Sequence, residues 1–121
     1  MDTLIFVHAR VGIAVVLYML ICTVWGAVAA LRGVGASGSY QGALVLAVAL
    51  ALLQGALGIV LTFTGRPPAQ WLHVVYGVLV FAALPVAHAY VRGRSARAAA
   101  GLYGLAAGIA FAAALRALAT G

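Results

Sequence analysis

Four apolar stretches, at about 3–31, 43–63, 71–91 and 98–119, are divided only by short polar breaks. A helix of about 20 residues at ~1.5 Å rise crosses the ~30 Å hydrocarbon core of a bilayer, so each stretch is long enough to span. The first exceeds that need and must tilt or protrude. Composition closes off the alternative: 67% of residues are hydrophobic and 7% charged, far from the ~45–50% and ~25% of soluble domains. The expectation is an all-α integral membrane protein, one domain over residues 1–121, built as an antiparallel up-and-down four-transmembrane-helix bundle. The breaks 32–41, 65–70 and 92–97 are short, and short connections make consecutive helices antiparallel neighbours. The N-terminal stretch is a poor signal peptide, because Asp2 stands where a basic region is needed and the apolar run is too long. It is read as a mature helix.

Charge sets the orientation. Seven arginines face one acid, Asp2, and they are scattered singly among apolar runs, forming no basic face interleaved with aromatics. Nucleic acid is therefore not an expected partner. Arg32, Arg92, Arg94 and Arg97 fall at one end of a four-span bundle, whereas Arg10, Arg66 and Arg116 fall at the other. The positive-inside rule places the first and third loops in the cytoplasm and both termini outside, in a multi-pass protein of the cell inner membrane. Trp71 and Tyr40 suit the membrane–water interface. The single cysteine, Cys22, has no intrachain partner for a disulfide and reads as a small buried residue.

One acid in the whole chain excludes paired-carboxylate catalysis, two-metal hydrolysis and carboxylate proton relays. Small four-helix multidrug exporters match the length, but they need a carboxylate inside the first helix, and this helix has none. What remains is histidine. An ionisable or metal-ligating side chain within a span points to function, and His8 and His73 lie about one turn below the outer end of helices one and three. Those helices run in the same direction across the bundle, so two imidazoles meet at matching depth. That is the requirement for axial ligation of one haem iron from both faces. Gly12 and Gly77 each follow their histidine by four residues, on the same helical face, and leave room for a porphyrin edge.

Other residues group around this pair. Arg10 and Arg66 share its side of the membrane and are candidates for haem propionates, with anchoring by snorkelling as the alternative. Gln54, the one amide well inside a span, either hydrogen-bonds across the bundle or touches a cofactor. His88 lies ~22 Å deeper than His73 and ~60° around the helix. Its counterpart on helix one is Cys22, an unusual partner for a second haem, so His88 is read instead as a cation at a helix C-terminus. Pro85 is expected to kink helix three. Gly55, Gly58, Gly101, Gly104 and Gly108 permit close helix approach, and in helix four their spacing is a packing signal.

These residues resemble a family. Gln54-Gly55-Ala56-Leu57-Gly58, the loop Gly65-Arg66-Pro67-Pro68 and Leu72-His73 are similar to the helix end, loop and helix start that join two spans of a haem-binding four-helix unit in haem A synthases. Phe6-Val7-His8-Ala9-Arg10 looks like that family's other histidine helix, and the likeness covers roughly residues 4–90. It implies His8 and His73 as axial ligands of a b-type haem. The family has two such halves, and this chain has the length of one. Where the catalytic half carries a glutamate three residues before its histidine, this chain has Ile5; arginine follows the histidine one residue late; and the outer cysteine pair is absent. The resemblance thus implies a haem-binding module, not oxidation of a haem methyl group.

The leading expectation is an integral membrane b-type cytochrome with one haem b, serving electron transfer or a respiratory or photosynthetic complex. Its partners would be the lipid bilayer, a quinone or an external redox protein, and further copies or subunits. Two alternatives stand beside it: a half-length haem A synthase-like enzyme acting as a dimer, and a haem-free accessory subunit.

Overall fold

A computed structural model describes residues 2–121, the side chains from Thr3 onward. It consists of four helices: α1 (Asp2–Leu31), α2 (Gly38–Phe63), α3 (Leu72–Tyr90) and α4 (Ala96–Thr120). All four are long and apolar enough to cross a membrane. At 30 residues, α1 is ~45 Å long and overshoots a ~30 Å hydrocarbon core.

Two helices begin earlier than the apolar pattern suggests. In α2 the first turn includes Tyr40, because the Ser37 side chain accepts a hydrogen bond from the Tyr40 N–H at 3.1 Å. Ser95 does the same for Ala98 at the head of α4, at 3.2 Å. Each serine satisfies an orphan donor of a first turn, so polar residues that read as loop become helix. Tyr40 accordingly is not interfacial. It is 0% exposed, and its hydroxyl donates to the Cys22 carbonyl at 2.9 Å. Trp71, at the start of α3, is 73% exposed. Chain reversal after α2 uses Gly65 at φ 85°, which lets the Arg66 N–H reach back to the Leu61 carbonyl at 2.9 Å.

Alternation of direction is visible in which ends meet. Arg97, at the start of α4, donates from Nε to the carbonyl of Ala30 near the end of α1, at 2.7 Å. Gly58, late in α2, lies against His8, early in α1. Each helix packs on its two sequence or cyclic neighbours, while α1 and α3, and α2 and α4, stand diagonally opposite.

Packing is uneven around this square. The most intimate seam joins α1 to α4, where Gly26 meets Gly104, Ala30 meets Gly101 and Thr23 meets Gly108. A Cβ built on Gly26 would lie 2.7 Å from the Gly104 Cα, so these backbones approach as only small residues allow. The glycines of α4 therefore serve packing. Ala106, Ala107, Ala110, Ala113 and Ala114 continue the seam toward the shared core, where they meet Val15, Met19, Val80 and Leu84. The α2–α3 seam is the sparsest, and α3 runs on as one helix through Pro85.

Candidate functional site

His8 and His73 come together. They sit on diagonal helices whose backbones do not approach, yet their rings lie 6.1 Å apart between centroids, tilted by 57°. Length and direction of the elements produce this. α1 and α3 start at the same end, each histidine falls within the first two turns, and both rings turn toward the bundle axis.

Each ring is held by a different neighbour. His73 Nδ1 lies 2.9 Å from the Ala117 carbonyl. A carbonyl only accepts, so Nδ1 carries a proton, and in the neutral ring the lone pair is then on Nε2. A backbone acceptor behind one ring nitrogen is the usual support for a metal-ligating histidine. The end of α4 closes over the same ring: a Cβ on Gly121 would come within 2.9 Å of His73 Cε1. Gln70 N–H donates to the Thr120 carbonyl at 3.3 Å, tying the α2–α3 loop to this end of α4. His8 rests on α2 at Gly58, where an added Cβ would stand 3.3 Å from its Cε1.

Polar satisfaction is incomplete here. The buried side-chain atoms that lack a hydrogen-bond partner among the described residues are His8 Nδ1, Gln54 Oε1 and Arg66 Nη1. An unpaired buried polar group costs about 1–3 kcal/mol, and such groups call for a ligand, water or ion to explain them. Gln54 lies one turn beneath His8, its Nε2 filling the space at Gly12 together with Leu118.

The two glycines expected to flank a porphyrin therefore differ. A Cβ on Gly12 would come within 2.9 Å of Gln54 Nε2, so that space is already taken, while Gly77 opens onto free space. The two arginines differ as well. Arg66 brings a buried guanidinium nitrogen to the site's end of the molecule, but Arg10 is exposed and lies over the Phe6 ring at 4.9 Å. That cation–π contact directs Arg10 to the surface.

His88 occupies the opposite end and a different environment. Its Nδ1 is hydrogen-bonded to the Tyr103 hydroxyl at 2.8 Å. Tyr103 meets Tyr40 edge-on at 6.4 Å, and Tyr40 bonds the Cys22 carbonyl. Aromatic side chains thus connect His88 to Cys22. His88 is in the last turn of α3 as expected, but a tyrosine of α4 holds it in place of helix-end carbonyls.

Among the described residues, no three of His, Cys, Asp and Glu gather into a group able to hold a bare metal ion. A bis-histidine site needs only two protein ligands, because a porphyrin supplies the other four. At a metal–imidazole bond of ~2.0–2.1 Å, two rings on opposite sides of one ion have centroids about 6 Å apart. The pair matches that spacing. Sequence reasoning reached His8, His73, Gln54, Arg66 and Gly58, but it missed Ala117 and Gly121. A backbone carbonyl and a terminal glycine carry no side-chain signature to read. Comparisons with protein-family models, curated proteins and solved structures give no match to this chain.

Proposed function

We propose that this chain is a membrane b-type haem protein resembling one four-helix half of a haem A synthase, with one haem held by His8 and His73. The observation that carries this reading is the meeting of two imidazoles at 6.1 Å from diagonally opposite helices whose backbones do not approach. The orphaned polar atoms support it: Arg66 offers a guanidinium to a propionate, and Gln54 offers an amide within reach of a bound group. His73 is fixed in the tautomer that ligates through Nε2. Bound haem would supply a one-electron couple; the protein's own residues orient the ligand rings, seat the propionates and keep one face of the site against α2 and α4. A membrane-embedded one-electron centre near one end of a bundle suits exchange with a quinone or an external redox protein, alone or within a larger complex. Arginine placement orients that end outward across the cytoplasmic membrane.

The test is an absorption spectrum of the detergent-purified protein, oxidised and dithionite-reduced, with a pyridine haemochromogen assay. Sharp reduced α and β bands at one haem b per chain are expected. His8→Ala and His73→Ala should each abolish them. A protein that is colourless and takes up no haemin refutes the reading and leaves a haem-free subunit as the better account. Conversion of haem O by the purified chain would instead support the dimeric enzyme.

A further inference from the structure

The sparse seam between α2 and α3 opens into a groove of about 400 Å³ at the end of the bundle away from His8 and His73. That volume falls in the range of ~300–1,000 Å³ that small-molecule sites occupy. Its walls are apolar, with Leu44, Val48 and Leu52 on α2 facing Leu84 and Pro85 on α3. His88 and Tyr103, already joined by their 2.8 Å hydrogen bond, stand in the lining, and Gln41 lies at the start of α2.

The polar groups are arranged for a carbonyl or hydroxyl. Tyr103 is buried and His88 exposed, so His88 Nε2 is the outward member of the pair. When Tyr103 donates to Nδ1, Nε2–H is a donor; when Nδ1–H donates to Tyr103, Nε2 is an acceptor. The same nitrogen can therefore serve a quinone carbonyl or a quinol hydroxyl. Gln41 Nε2 is committed to the Ala36 carbonyl at 2.9 Å, leaving its oxygen as an acceptor. A flat apolar molecule with oxygen functions on a ring fits this lining.

We infer that the α2–α3 groove binds a lipid-soluble quinone, its ring between Val48 and Leu84 and one oxygen on His88 Nε2. This site is separate from the histidine pair and does not depend on haem. The experiment is calorimetric titration of the purified full-length chain in detergent with decylubiquinone. Saturable binding of one molecule per chain is expected. His88→Phe should weaken it at least tenfold, Val48→Trp should fill the groove and abolish it, and Leu17→Trp, on the lipid-facing side of α1, should leave it unchanged. His8→Ala should also leave it unchanged, which separates failure of this inference from failure of the haem reading. Non-saturable uptake, equal affinity in His88→Phe and Val48→Trp, or a co-purifying phospholipid that decylubiquinone does not displace would each overturn it.

Discussion

The two ends of the bundle carry histidines of opposite character. At the end that holds His88, polar side chains pair across helices: Tyr40 bonds Cys22, His88 bonds Tyr103, and Arg97 bonds Ala30. At the end that holds His8 and His73, three buried polar atoms lack partners among the described residues. Among the described residues, one end pairs its buried side-chain polar atoms and the other leaves three of them unpaired, while the free atoms of the first end, such as His88 Nε2, lie on exposed residues. A low-dielectric bundle makes each such gap costly, so the contrast separates residues that hold the helices together from residues whose polar atoms the fold itself leaves unpaired.

Damage to the closed end should have the largest effect on stability. Gly104→Leu forces a side chain into the backbone of α1 at Gly26, where no rotamer relieves the clash. A loss of about 3 kcal/mol or more is expected, read as a lowered unfolding midpoint in detergent. Gly77→Leu, facing open space, should be far milder. Similar losses at the two positions would mean that the α1–α4 seam is not the structural backbone of the bundle. Next in size is Tyr40→Phe. It removes a buried hydroxyl and its bond to Cys22, and should cost about 1–2 kcal/mol.

The open end should respond with the opposite sign. Gln54→Leu removes an amide whose oxygen is unpaired, so the haem-free protein should gain about 1 kcal/mol. The same change should weaken haemin retention, measured by transfer to an apo-globin acceptor. Destabilisation of the haem-free form would show that Gln54 is a structural residue, and the two ends would then be alike.

Much of this contrast was legible in the residue order. Four spans, their alternation and the pairing of His8 with His73 follow from apolar run length and from counting turns. The small-residue spacing of α4 correctly announced its packing role. Other features depend on contacts between distant positions. Tyr40 reads as interfacial because aromatic residues near span ends usually are, and only the proximity of α1 supplies the Cys22 carbonyl that draws it inside. Gly12 and Gly77 look equivalent beside their histidines, but α2 places Gln54 over one and nothing over the other. Arg10 and Arg66 are both cations at the same end, and local geometry gives one to Phe6 and leaves the other inward.

The smallest effect should come from the helix caps, which were hidden in stretches that read as loop. Ser37 and Ser95 each accept from the N–H three residues on, at 3.1 and 3.2 Å. Replacing an N-cap serine by alanine costs about 0.5–2 kcal/mol, and exposed caps fall toward the low end because water takes over the freed donor. The two sites differ in what they hold. Ser37 begins the turn that carries buried Tyr40, so fraying there disturbs the buried core of the closed end, whereas Ser95 begins a turn of exposed residues, among which Arg97 makes an exposed bond to the Ala30 carbonyl. Ser37→Ala should therefore cost more than Ser95→Ala, by about 0.5 kcal/mol, and amide exchange should quicken over residues 38–41. Equal costs would mean that Tyr40 is anchored by its Cys22 bond alone, with the cap contributing nothing to how the closed end is held.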